Sequence, residues 1–288
     1  MRLLLEKSMA VSSKTVYIRA WTLFTEAISL IIDHFSVREL LPLTTNMILY
    51  FIGYLSLKKY ASSSITTFTS AIGYVHKIAG LPNPTSHFLV QKMIASVNKV
   101  NPSQDPRLPI TLLILHQLVL SVPQVVNQHY HIILLKAMFL VAFFGLMRVG
   151  EIAYSPNTQN PTISVDQLDV RHDHMVIKIK HFKHNISLKP FDIIIKRQAD
   201  PRLCPVAVVE DYLRVRGRGP GPLFVFQDGP VVNKSFFSSR LHKCLAFVGL
   251  DPKLYQSHSF RIGAASLLAS LKFSDSNIRM LGRWKGVT

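Results

Sequence analysis

The sequence predicts a mainly α-helical protein with one small β-sheet, an α+β architecture divided into two domains. Three observations carry that prediction. Apolar residues recur at three- and four-residue spacing up to about residue 100, and again through most of the second half. Between residues 163 and 196 the spacing switches to alternation, as in His174-Met-Val-Ile-Lys-Ile-Lys180. Asn101-Pro-Ser-Gln-Asp-Pro-Arg-Leu-Pro109 places three prolines in nine residues between two periodic regions, so it reads as a linker. The domains are accordingly residues 1–104 and 105–288.

In the first domain, Ser12 or Ser13 is expected to cap a helix whose buried stripe includes Val16, Trp21, Phe24, Ile28 and Ile32. A second helix runs from Thr44 through Met47, Tyr50, Phe51, Tyr54 and Leu55. The third starts near Ser62 to Ser64, buries Ile65, Phe68, Ile72 and Val75, and stops at Gly80 ahead of Pro82, a common helix-ending pair. His87 to Val100 forms the fourth, with Phe88, Val90, Met93, Ile94 and Val97 inward. Short connections between four short helices suggest a bundle. Its basic residues, Lys7, Lys14, Arg19, Lys58, Lys59, Lys77 and Lys92, fall largely off those stripes, which suits either a solvated face or contact with DNA.

Beyond the linker, Thr111 to Val122 and Gln128 to Phe144 read as helices. The second is apolar nearly all round and so belongs at the centre of a core. Leu-Met-Arg148-Val-Gly-Glu151 follows Gly145; an Arg emerging from a buried run must be paired, which makes Arg148 either an ion-pair partner of Glu151 or an anion ligand held by it. A strand pattern begins near Ile163, His174 to Lys180 alternates, His181 to Asn185 turns, and Ser187 to Lys196 returns. Lys183 sits at the tip of that turn. Later elements are a helix from Val206 to Arg216, a basic loop from Arg216 to Pro222, a short strand at Leu223 to Phe226, and a helix from Ser235 to Phe247 capped by Asn233. A helix from Ser257 to Leu271 carries His258 and Arg261 on one face. The last, capped by Ser274, runs through Ile278 and Leu281 toward Trp284.

Composition narrows the function. The 288 residues hold 33 Lys and Arg against 16 Asp and Glu, a formal charge of +17, which calls for a polyanionic partner. Nucleic acid fits better than an anionic membrane, because the basic residues are spread along the chain and no apolar run is long enough to span a bilayer. Cys204 and Cys244 are too few and too far apart for a disulfide framework or a zinc site, so they read as small core hydrophobes in a reducing intracellular setting. His172, His174, His181 and His184 lack accompanying carboxylates or thiolates and read as surface or DNA-facing imidazoles. Asp166, Asp169 and Asp173 lack a partner set for two-metal chemistry. Gly217, Gly219 and Gly221 follow a helix instead of opening one, which argues against a nucleotide loop. No metal or other cofactor is expected. Were Arg148, Lys183, His258, Arg261 and Trp284 to converge, two guanidiniums could grip the non-bridging oxygens of one phosphodiester and stabilise a pentacoordinate transition state without metal.

Phe-Phe-Gly-Leu-Met-Arg148-Val-Gly-Glu151, the hairpin His-Phe-Lys183-His-Asn, His258-Ser-Phe-Arg261-Ile-Gly-Ala-Ala and Leu-Gly-Arg-Trp284-Lys stand in the order seen in one family. The chain resembles the tyrosine recombinases, the phage-integrase-like DNA breaking-rejoining enzymes. In wording it is most similar to the recombinases of DIRS-like and Crypton-like mobile elements. The resemblance implies a core-binding helical domain in front and a catalytic domain behind, entered at Asp105-Pro-Arg-Leu-Pro-Ile-Thr111, with double-stranded DNA as partner, a dimer or tetramer on that DNA, and a nuclear location in a eukaryote. It further implies that Arg148 and Arg261 hold the scissile phosphate, that Lys183 protonates the leaving 5′ oxygen, and that His258 assists proton transfer. Lys178, Lys180 and Lys189 lie close enough to compete for the lysine role. Trp284 would donate its indole N–H and pack the site, and Glu151 would orient the first arginine. The family nucleophile is a tyrosine soon after the Trp284 position, and no tyrosine follows Arg261 in this sequence. Tyr255, ahead of it, is expected to pack the helix entry. The expectation is therefore a truncated recombinase that binds DNA and does not cleave it, with a non-catalytic DNA-binding derivative as the alternative and a basic RNA-binding or scaffold protein more distant.

Overall fold

The computed structural model describes residues 11–32, 40–102, 107–156, 161–182, 185 and 189–284. The chain divides into two compact units, residues 1–105 and 106–288, each with its own apolar core.

Unit 1 is made of helices α1 (Val11–Ile28), α2 (Thr45–Leu57), α3 (Ser62–Ile78) and α4 (Phe88–Val100). Thr44 caps α2 by accepting a hydrogen bond from the Met47 amide, and His87 caps α4 through the Leu89 amide. The core collects Phe24, Ile48, Phe51, Ile52, Ile65 and Ile72, all shielded from solvent. Phe24 and Phe51 meet edge to face at 5.4 Å, the arrangement that ring quadrupoles favour. Two expected core positions lie outside: Val16 is 36% and Phe88 66% exposed. In α1 the inward stripe runs through Ala20, Leu23, Phe24, Ala27 and Ile28 instead. Neither Ser12 nor Ser13 can cap α1, because the helix already begins at Val11. The buried imidazole of His76 accepts from the Leu43 amide at its Nε2, which leaves Nδ1–H to donate to the Ile72 carbonyl, so the ring ties the segment ahead of α2 to α3.

Unit 2 wraps around α6 (His129–Phe144), whose residues 137–143 are all buried. Against it pack α5 (Leu112–Val125), α8 (Pro205–Arg216) and α10 (Ser259–Ser270), while α9 (Lys234–Phe247) packs on α5. Phe139, Phe237 and Phe260 bring α6, α9 and α10 together, with ring centroids 5.4–5.8 Å apart. A three-stranded antiparallel meander, β1 (Leu168–Val170), β2 (His174–Ile179) and β3 (Phe191–Lys196), completes the mainly helical α+β fold. Register pairs His174 with Lys196 and Ile179 with Phe191. Met175, Ile177, Ile179, Ile193 and Ile195 therefore face the core and Lys178 faces water.

The sheet starts later than its sequence suggests. Ile163 is buried but sits in a connection, its amide bonded to the Glu151 carbonyl and its own carbonyl to the Leu223 amide. Leu223 to Phe226 likewise forms only isolated bridges, Ser164 with Pro222 and Val225 with Val231. Part of the expected hairpin turn, including Lys183 and His184, lies outside the described residues, as does the start of the returning strand at 186–188. Asn185 donates from its amide nitrogen to the carbonyls of Lys180 and Lys189, closing the neck of that turn.

Candidate phosphate-binding site

Two helix ends build the site. At the C-terminus of α6 the chain turns back through Leu146, held at φ +46°, a left-handed conformation that glycine adopts more cheaply. Its turn is fixed by hydrogen bonds from the amides of Gly145 and Met147 to the carbonyls of Val141 and Ala142. A Cβ at Gly145 would lie 2.8 Å from the Val141 carbonyl oxygen and 3.3 Å from Ile195, so the turn is pressed between its own helix and the sheet. Helix α11 (Asp275–Gly282) ends in the same way, with Arg283 at φ +53° and the Trp284 amide bonded back to the Arg279 carbonyl. Both turns aim peptide carbonyls at one cluster of guanidiniums.

Arg148 opens the short helix α7 (Val149–Ile152), whose Glu151 is its partner. Arg148 NH1 donates to Glu151 Oε1 at 3.0 Å and the Arg148 backbone amide donates to Oε2 at 2.8 Å, while NH2 reaches the Arg283 carbonyl. Glu151 is 5% exposed and shares Oε2 with Arg283, 2.9 Å away. Arg261, on the first turn of α10, is 1% exposed. Its NH1 donates to the Leu146 carbonyl at 2.6 Å, its NH2 to the Gly282 carbonyl, and the Trp284 ring covers its guanidinium with 5.0 Å between centres. Gly282 permits that stacking, since a Cβ there would meet the indole at 3.0 Å.

Three guanidiniums thus face one carboxylate. Burial, then the charges of Arg148 and Arg283, pull the Arg261 pKa down to about 9 against the opposing pull of Glu151. Arg261 remains protonated at neutral pH. Arg283 is lowered as well, first by burial and then by Arg148, with Glu151 resisting. The surplus positive charge makes the cluster an anion-seeking site.

A cavity of about 300 Å³ opens beside this cluster, lined by Arg148, Gly150, His181, Phe182, Lys234 and His258 among others. His258 forms the N-cap of α10, its carbonyl accepting from the amides of Arg261 and Ile262. The structure brings Arg148, Glu151, Arg261 and Trp284 into one hydrogen-bonded and stacked cluster and sets His258 on the wall of the cavity that Arg148 also lines. It differs from the sequence reading over Arg261, which stays behind the wall with both terminal amino groups on peptide carbonyls instead of opening toward a ligand. Lys183 lies outside the described residues. Tyr255 is 5% exposed and packs in the core just ahead of α10. Among the described residues no group of three His, Cys, Asp or Glu side chains could hold a metal, and both cysteines are buried, unbridged thiols.

Arg283 and Lys234 escaped the sequence reading. For Lys234 a signal existed: it is the first residue of a helix, where the positive end of the helix dipole disfavours a cation. Arg283 gave none, because its role depends on a left-handed turn that folds it back on Glu151.

This arrangement of helices and meander is the fold of site-specific recombinases and integrases. XerH site-specific recombinase bound to a palindromic difH substrate, in a post-cleavage complex, aligns over 91% of this chain and 69% of its own at 12% identity and a TM-score of 0.60. A lambda integrase dimer bound to a COC′ core site aligns over 99% and 89% at 14% identity and a TM-score of 0.59. Tn1549 transposon integrase in complex with circular intermediate DNA aligns over 93% and 92% at 9% identity and a TM-score of 0.58. No protein-family model matches the sequence, and no curated protein matches it.

Proposed function

We propose that the chain is a tyrosine-recombinase-like protein of the DIRS-like or Crypton-like kind, which binds double-stranded DNA and seats a backbone phosphate in the Arg148 cavity. Residues 1–104 act as a core-binding module and residues 105–288 as the phosphate-handling domain, working in the nucleus as a dimer or tetramer on DNA. One observation carries this reading: Arg148 and Arg283 share the Glu151 carboxylate, with Arg261 clustered beside them, next to a cationic cavity on a fold shared with DNA-bound integrases. In this reading Arg148 and His258 contact phosphate oxygens, and Lys183, from the hairpin, donates a proton to the departing 5′ oxygen. Arg261, braced by Trp284, adds fixed positive charge from behind.

Residues 1–288 offer no tyrosine beyond Arg261, so a polypeptide of these residues binds DNA without forming a 3′-phosphotyrosine bond by itself. A non-catalytic DNA-binding protein that uses the same pocket is the alternative reading. Fluorescence anisotropy with duplex DNA across a salt series tests the binding. Affinity should fall steeply and linearly on logarithmic axes as counterions are released, and a flat dependence would sink the reading. Incubation with nicked duplex substrates followed by denaturing electrophoresis should give no covalent adduct; a band that tracks with the protein would overturn the inactivity.

A further inference from the structure

We propose that Lys234 is a further phosphate ligand of this site, acting on the same backbone phosphate as Arg148 and His258; this rests on the DNA reading above. The observation is its placement. Asn233 caps α9 by accepting from the Phe236 amide, and the preceding segment is stitched to the chain that follows α7. The Tyr154 amide donates to the Val232 carbonyl and the Lys234 amide to the Tyr154 carbonyl, both in ordinary hydrogen-bond range. These bonds fix the root of the Lys234 side chain against the Arg148–Glu151 helix. The tip is fixed by Gly150. A Cβ on that residue would stand 3.3 Å from Lys234 Nζ and 3.4 Å from Cε, so the ammonium lies over the bare backbone of Gly150 and borders the cavity.

Among the described residues no carboxylate pairs with it there. Glu151, the carboxylate of this cluster, has Oε1 on Arg148 and Oε2 on both the Arg148 amide and Arg283. Its position at the start of α9 adds the helix's own positive end to the same spot. An ammonium held against backbone at the rim of a cavity that Arg148 and His258 also line, with no carboxylate partner among the described residues, matches the non-bridging oxygens of a phosphate. A point charge on a flexible stem also complements the planar fork of Arg148.

The test uses the full chain and four variants: Lys234→Met, which keeps the stem and removes the charge; Lys234→Arg; Gly150→Ala, which pushes the ammonium off its seat; and Lys243→Met, an exposed lysine farther along α9. Binding to duplex DNA is measured across salt. Lys234→Met should weaken binding about tenfold and lower the salt slope by about one. Lys234→Arg should restore most of the slope, Gly150→Ala should behave like a partial loss, and Lys243→Met should leave the wild-type values. If the wild type binds with a steep salt slope and Lys234→Met matches it in both quantities, the role of Lys234 is overturned while the DNA reading stands. A wild type with a flat slope sinks the DNA reading instead. Inorganic phosphate, followed through the His258 imidazole proton shifts, then decides Lys234 by itself: a saturable shift lost in Lys234→Met keeps it as an anion ligand, and no shift in the wild type removes it.

Discussion

Glu151 divides two carboxylate oxygens among an exposed-side arginine, a backbone amide and a buried arginine, so its charge does three jobs at once. Replacing it with glutamine keeps the shape and one acceptor but leaves Arg283, whose side chain has no exposure, as a buried cation facing two others. Breaking such a pair by removing one partner costs about 3 kcal/mol or more. Urea unfolding of Glu151→Gln should therefore show a lower midpoint at unchanged slope, and a loss below about 1 kcal/mol would show that the arginines find other acceptors. Arg148, Glu151, Arg261 and Trp284 could be picked out from the sequence because each stands in a short local motif. Lys234 and Arg283 could not, since one is positioned by a bridge to Tyr154 and the other by a turn of unusual handedness.

Helix α10 is positioned by a backbone contact away from the cavity that its N-cap, His258, lines. Gly263 faces the segment that leads into α5, where an added Cβ would stand 1.8 Å from the Ile110 carbonyl oxygen and 2.6 Å from its carbon. The Ile110 amide also donates to the Ser259 carbonyl at 3.0 Å, so the two segments are bonded as well as packed. Alanine is favoured over glycine by about 1 kcal/mol inside a helix, yet the obstacle here is backbone and cannot rotate away. Gly263→Ala should destabilise the protein by about 3 kcal/mol; a stabilised variant in thermal or urea melts would mean α10 can slide freely. The elements themselves were readable from periodicity and caps, as Asn233 and Ser274 each accept an amide as expected, while Thr44 and Thr111, expected as helix starts, serve as caps too. Their phases were less so. Ala20 and Ala27 anchor α1 although they carry little hydrophobic signal, which displaced the stripe from Val16. Phe88 is the first residue of α4, where the helix overhangs its core, and its ring is covered by the Lys92 ammonium instead. Ile163 reads as a strand residue in the sequence because burial and alternation look alike over a few residues.

Across the whole molecule, charge and core are unequally shared. Residues 106–288 hold 23 of the 33 basic residues and 11 of the 16 acidic ones, leaving them with +12 of the +17. They also hold the larger core, built on α6, and the Arg148 cavity. A polypeptide of residues 106–288 should accordingly unfold in one cooperative transition and still bind duplex DNA, with a smaller salt slope than the full chain because the lysines and arginines of unit 1 are gone. Equal slopes for the two polypeptides would show that unit 1 contributes no phosphate contacts.

The guanidiniums of Arg148, Arg261 and Arg283 are held mainly by peptide oxygens, those of Gly145, Leu146, Leu281, Gly282 and Arg283. Every amino acid supplies such an oxygen, whatever its side chain. A scaffold of that kind places few chemical demands on the residues that frame it, provided the two turns keep their path. The fold can therefore stand on backbone geometry more than on side-chain identity, in keeping with an architecture shared with lambda integrase at 14% identity and with Tn1549 integrase at 9%.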